Sequence, residues 1–77
     1  MMHGKGIFKW PDGRCFEGHY ENGEKNGFGQ YCWADGRVYK GEWKDGKQHG
    51  KAHFMNIRGV TRYGVWDQGV RVRWIAE

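Results

Sequence analysis

Apolar and polar residues alternate along most of the chain, and turn residues interrupt the alternation at regular intervals. Gly4, Gly6, Phe8 and Trp10 share one side of the first stretch; Lys5, Ile7 and Lys9 take the other. Pro11-Asp12-Gly13 then reverses the chain, with Gly13 suited to the positive-φ end of a three-residue hairpin loop. Arg14, Phe16, Gly18 and Tyr20 follow on one side. After a loop at 21–26 built on Asn22-Gly23, Gly27, Gly29, Tyr31 and Trp33 do the same. Ala34-Asp35-Gly36 repeats the first turn and Ile57-Arg58-Gly59 keeps its glycine. Between and after them run Arg37, Tyr39, Gly41, Trp43; Gly50, Ala52, Phe54, Asn56; and Val60, Arg62, Gly64, Trp66. A period of two throughout predicts strands joined by hairpins.

The pattern itself recurs. Gly18, Gly41 and Gly64 stand 23 residues apart, and the flanking aromatics and turns move with them. A fixed period of this size marks stacked structural repeats. The divisions expected are a partial repeat at 1–13, repeats at 14–36 and 37–59, and a degenerate repeat with a C-terminal cap at 60–77. Antiparallel pairing of neighbours then sets the ring-side residues in rows. One reads Phe8, Phe16, Tyr31, Tyr39, Phe54, Arg62, and the next Gly6, Gly18, Gly29, Gly41, Ala52, Gly64. A third alternates Gly4, Tyr20, Gly27, Trp43, Gly50, Trp66, and a fourth sets Arg14 and Arg37 beside Trp10 and Trp33 for guanidinium stacking. The bare strip lets rings from the flanking rows fold flat on backbone, which buries area without a second layer. The fold class expected is therefore all-β: a single-layer antiparallel meander of about six or seven strands, curled over an aromatic and glycine face.

The period fails after Gly69. Continuing the same pairing through Val70-Arg71-Val72-Arg73-Trp74-Ile75-Ala76-Glu77 sets Ile75 over Gly64 and Glu77 opposite Arg62. An apolar plug and an ion pair in place of rings suit an end cap. At the other end, Met1-Met2-His3-Gly4 enters the period in mid-repeat, so a longer parent array is expected.

Composition narrows the class. Seventy-seven residues allow one domain, and with only 38% hydrophobic residues the 17% that are aromatic must carry most of the burial. Fourteen glycines weigh against helices, and their phase with the repeat weighs against disorder. The net charge of +4 permits acidic partners, but basic residues are dispersed with acids nearby, as at Glu24-Lys25 and Lys44-Asp45. No apolar run reaches membrane-spanning length, no signal peptide is visible, and two cysteines make no disulfide framework. A soluble cytoplasmic protein, associated with cytoskeleton or membrane, is the expectation.

These residues resemble the MORN repeat, whose pattern runs Tyr-x-Gly-x-Trp-x-x-Gly-x-x-x-Gly-x-Gly and ends in Asp-Gly. Tyr39-Lys40-Gly41-Glu42-Trp43-Lys44-Asp45-Gly46-Lys47-Gln48-His49-Gly50 follows it most closely, with Ala52 for the last Gly. Phe16 to Gly29 follows it with Phe16 for Tyr and Tyr20 for Trp, whereas the third copy has Arg62 for the first Tyr and Arg73 for a Gly. The resemblance implies a chain of β-hairpins in a non-enzymatic scaffold. Such arrays occur in junctophilins, plant phosphatidylinositol phosphate kinases, axonemal radial-spoke proteins and parasite cytoskeletal scaffolds, where they bind proteins, dimerise or meet acidic phospholipid.

Residue chemistry points the same way. No catalytic constellation is visible: Asp12 and Asp35 read as turn formers, and Glu42 falls opposite Lys51 as a surface pair. Cys15 and Cys32 fall opposite each other away from the rings. His19 lies roughly 13 Å from Cys15 along the strand, too far to share an ion, so no metal or cofactor is expected. The aromatics are needed as core, which argues against a nucleic-acid stacking surface. The candidate groove comprises Phe8, Trp10, Phe16, Gly18, Tyr20, Tyr31, Trp33, Tyr39, Gly41, Trp43, Phe54, Gly64 and Trp66. It suits a protein partner offering a helix or strand, or self-association, and the unpaired strand Gly4–Trp10 offers an edge. The alternative partner is acidic phospholipid, met by Lys5, Lys9, Lys40, Lys44, Lys47 and Lys51, with Lys25 also exposed; Phe28 and Tyr63 are candidate outward contacts.

Overall fold

A computed structural model describes residues 3–75. Seven strands follow one another in a single antiparallel sheet, in sequence order. They are β1 (Gly4–Lys9), β2 (Cys15–Glu21), β3 (Glu24–Cys32), β4 (Val38–Lys44), β5 (Lys47–Met55), β6 (Thr61–Asp67) and β7 (Val70–Trp74). No helix occurs among the described residues. The all-β meander expected from the alternation is the fold.

Two kinds of hairpin alternate. At one end of the strands, three-residue turns join β1 to β2, β3 to β4 and β5 to β6. In the first, Trp10 N donates to Arg14 O at 2.9 Å and Gly13 N to Trp10 O at 3.2 Å, with Gly13 at φ 102°. At the other end the turns are two residues long. Asn22 and Gly23 have φ 52° and 82°, Asp45 and Gly46 52° and 80°, Gln68 and Gly69 50° and 85°. Positive φ at both positions is the type I′ geometry that matches strand twist. Each later two-residue turn also reaches back to the preceding hairpin, Gly46 N donating to Lys25 O and Gly69 N to Gln48 O, both at 2.9 Å.

This corrects the six-residue loop read at 21–26. Tyr20 pairs with Lys25, not Gly27, and Trp43 with Gln48, not Gly50. The surplus residues form bulges: Asn26, Gly27 and Phe28 together oppose His19, and His49, Gly50 and Lys51 together oppose Glu42. Glu42 therefore makes no ion pair with Lys51. Because the shift is two residues, the faces keep their parity and the rows nearer the three-residue turns are in the expected register.

The last hairpin breaks that parity. Val65 pairs with Arg73 and Trp66 with Arg71, leaving Val72 as a single extra residue. Gly27 and Gly50 occupy the earlier bulges at φ 89° and 69°, a conformation that Arg73, standing in their place, does not share. One residue fewer is absorbed, so Trp74 and not Ile75 stands on Gly64, while Ile75 N donates to Tyr63 O at 2.8 Å. An indole, rather than the aliphatic side chain expected there, stands over Gly64. Glu77, expected opposite Arg62, lies outside the described residues.

The core sits on one face. Phe16 and Tyr39 are fully buried, and Tyr20, Trp43, Ala52 and Trp66 nearly so. The rings lie over the row Gly18, Gly29, Gly41, Ala52 and Gly64, paired strand to strand. A Cβ on Gly18 would stand 2.5 Å from Gly29 Cα on the facing strand and 2.9 Å from Phe16 Cζ, so the next backbone and the covering ring together keep this strip almost bare.

Candidate functional site

The rings on this face form two tiers. The inner tier runs Tyr20, Phe16, Trp43, Tyr39, Trp66, Trp74, with successive centroids 5.5, 5.3, 5.1, 5.1 and 5.8 Å apart and the planes near perpendicular. Edge-to-face packing sets the positive ring edge against the negative face of the next ring. The outer tier runs Phe8, Trp10, Tyr31, Trp33, Phe54, Trp74, at 4.6, 5.8, 4.8, 5.8 and 6.3 Å. Trp10, Tyr31, Trp33, Phe54 and Trp74 pack on the core yet stay only half-buried, and Phe8 at the edge is exposed, at 45%. The outer tier crosses the sheet from β1 to β7 without a break, at right angles to the strands.

Two of the buried rings also anchor their polar groups to backbone. Trp43 Nε1 donates to Gly29 O at 3.1 Å and Tyr39 Oη to Glu42 O at 2.7 Å. Burial pushes the Tyr39 hydroxyl up to about 12. Cations decorate the outer tier. Arg14 lies 4.9 Å from the Trp10 ring and Arg37 5.1 Å from the Trp33 ring. Each is held from behind by its turn aspartate, Asp12 and Asp35, at 2.8 Å. The backbone N–H of Arg14 or Arg37, then the guanidinium, holds each of those carboxyls below its usual range.

Lys25 is not the exposed lysine its loop position suggests. Its ammonium lies 5.1 Å from the Phe16 ring, 5.7 Å from Trp43 and 6.0 Å from Tyr31, and burial lowers its pKa. Trp74 is a second residue the sequence reading left off this face. Two signals pointed to them: Lys25, Gln48 and Arg71 share one phase of the period, and Arg73 displaces a bulge glycine.

The remaining lysines stand elsewhere. Lys5, Lys9, Lys40 and Lys51 alternate out to the opposite face, where Glu17 and Glu42 also project. Lys44 and Lys47 pair beside the Asp45-Gly46 turn, in a cleft of about 520 Å³ that also holds Glu24, Asp45 and Asp67. In that cleft His49 Nδ1 is 3.8 Å from Asp67 Oδ1. All six lysines are exposed, but charges of both signs surround them. Phe28 is 54% exposed on the opposite face; Tyr63 is half-buried there, its ring 4.6 Å from that of His53. Cys15 and Cys32 are a directly opposed, unbonded pair, and the contact with Cys32 raises the Cys15 pKa. Among the described residues no group of three or more potential ligands could hold a metal ion, and no helix is long and apolar enough to cross a membrane.

Known proteins resemble parts of this sequence. Alsin from rat, mouse and human is 48% identical to the chain over 27 residues. That segment is 35% of this chain and 2% of each alsin, so the chain spans only a small part of these relatives. A family model for the MORN repeat matches residues 1–13, 16–36 and 39–55. Repeats of this family are interaction modules for proteins and membranes, without catalytic machinery of their own. With more than half of its residues matched and the hairpin meander in place, the chain belongs to the MORN-repeat family.

Proposed function

We propose that the chain is a non-catalytic scaffold module that docks a segment of another protein against the outer aromatic tier. The observation that carries this reading is the unbroken row from Phe8 to Trp74, whose rings are half in contact with water. Apolar surface gathered in one contiguous row, rather than scattered singly, is what a partner covers. Rings rich in area and poor in rotatable bonds are also the side chains that anchor interfaces.

Acidic phospholipid is the competing partner. Surfaces that bind it concentrate their bases in one patch, whereas these lysines are divided between the opposite face and a turn cleft and are interleaved with carboxylates. A salt series separates the two. Capture of a protein partner through the rings persists at high salt and is unchanged by Lys40→Glu with Lys51→Glu. Flotation on phosphatidylserine vesicles that collapses with salt and with those two substitutions, with no salt-resistant protein capture, overturns the reading.

A further inference from the structure

The third copy departs from the first two at one end of the ring face. Trp10 and Trp33 are answered by Asn56, Asp12 and Asp35 by Arg58, Arg14 and Arg37 by Val60. The turn itself survives, because Asn56 Oδ1 accepts from Arg58 N at 2.9 Å and Val60 N at 3.1 Å. Its carboxylate does not. Residues 57–77 hold Arg58, Arg62, Arg71 and Arg73 against Asp67 and Glu77, two bases to each acid, whereas in residues 3–56 acids nearly balance bases. Asp67 is directed to His49 in the turn cleft.

Two of these arginines flank one ring. The guanidinium of Arg62 lies 4.2 Å and that of Arg71 4.6 Å from the centroid of Trp74. Arg14 and Arg37 stack in a similar way but are neutralised by aspartate. Arg62 and Arg71 are exposed, with no carboxylate at ion-pair distance among the described residues. Beside them a cleft of about 340 Å³ opens between Phe54, Trp66, Arg71 and Trp74. That is room for one large apolar side chain on a floor of rings, with Arg71 in its wall and Arg62 beside it on the same Trp74 ring.

We propose that this cleft is a recognition site for an acidic peptide segment, with an apolar residue seated on Phe54, Trp66 and Trp74 and flanking carboxylates held by Arg62 and Arg71. The inference rests on the docking role assigned to the ring face and names the chemistry of its partner. Guanidinium meets carboxylate through paired, planar hydrogen bonds, and stacking on Trp74 presets the plane at small entropic cost. The lysines lie outside the cleft, so the selectivity is for a short acidic-apolar sequence and not for negative charge in general.

The test uses the full chain and a blocked synthetic peptide in which one phenylalanine is flanked by aspartate and glutamate. Binding is read by the indole N–H resonances and by anisotropy of a dye-labelled peptide. The expected result is a shift of the Trp74 and Trp66 resonances, and affinity lowered at least about tenfold in Arg62→Gln with Arg71→Gln. Arg71→Lys recovers only part of that loss. A peptide with alanine for phenylalanine binds more weakly, and Lys9→Gln on the opposite face leaves affinity unchanged. Thermal midpoints of the variants confirm that they fold.

The proposal is overturned if the peptide fails to bind, or if Lys40→Gln with Lys51→Gln weakens it as much as the arginine pair. It is also overturned if the arginine pair governs adhesion to phosphatidylserine vesicles instead. Salt-resistant capture of a protein partner in the presence of any of these results leaves the docking role standing and removes only the acidic specificity.

Discussion

The indole of Trp43 on β4 reaches back over β3 and donates to the carbonyl oxygen of Gly29 at 3.1 Å. Gly29 has no side chain to obstruct it, and the ring that covers Gly29 also satisfies its backbone. One residue thus joins two successive repeats by burial and by hydrogen bonding. Trp43→Phe keeps most of the burial but orphans that carbonyl, and should cost about 1–3 kcal/mol. Trp43→Ala adds a cavity and should cost about 3–5 kcal/mol, comparable to the whole stability of a domain this size. Urea titrations of both variants check the ordering.

Glycine in the central row is there for space. A Cβ on Gly64 would stand 2.9 Å from Trp74 Cε3 and 3.0 Å from Trp66 Cζ3. Gly64→Ala should therefore destabilise by about 1–3 kcal/mol through displaced indoles, despite the usual gain from replacing glycine by alanine in a strand. Ala52→Gly in the same row removes only one methyl and should cost about 1 kcal/mol or less. Equal effects of the two changes would contradict the packing described.

Tyr39 makes stability fall at high pH. Its folded-state pKa, raised to about 12, lies above the ordinary value near 10. Stabilisation from the protonated hydroxyl is thus complete below about pH 10 and is lost as pH climbs through about 12, because the native state then holds the proton more tightly than the unfolded chain. After allowance for solvent screening the loss is on the order of 1–2 kcal/mol. Denaturation of Tyr39→Phe across this range should follow a flatter alkaline limb than the wild type. Parallel limbs would remove Tyr39 as the cause.

Asp35 acts at the acid end with the opposite sign. Its pKa is lowered by the Arg37 backbone N–H and then by the guanidinium. Its contribution is present above the ordinary carboxylate range and lost as pH falls through the lowered value. Asp35→Asn keeps the Asx turn but drops the charge, so its melting temperature should lie below wild type near neutrality and converge with it in acid. A constant offset at all pH values would assign the effect to the turn instead.

How much of this was legible in the sequence depends on parity. Phe16 opposite Tyr31 and Gly18 opposite Gly29 came out in register because strand alternation and three-residue turns leave one consistent pairing. Tyr20 opposite Lys25 did not, because a two-residue turn with a two-residue bulge leaves the same faces outward as one longer loop. In the first two copies the ambiguity leaves the faces unchanged but hides that Lys25 and Gln48 stand opposite Tyr20 and Trp43. In the third, Arg73 permits only a one-residue bulge, and the slip moves Trp74 onto the ring face. The site was legible as a face, from ring positions alone. Its cations were not, since the placing of Lys25, Arg62 and Arg71 over particular rings depends on side-chain direction, which a period of two leaves open.

The proposed function divides the labour between the inner tier, which holds the fold, and the outer tier, to which partner docking is assigned. Trp33 tests it most directly: it is half-buried in the outer tier, between Tyr31 and Phe54. Partner capture at high salt should be lost in Trp33→Ala while the variant still unfolds cooperatively within a few degrees of wild type, and the more exposed Phe8→Ala should weaken capture with a smaller thermal shift still. Full capture by a folded Trp33→Ala protein would contradict the claim that this row of rings is where partners bind.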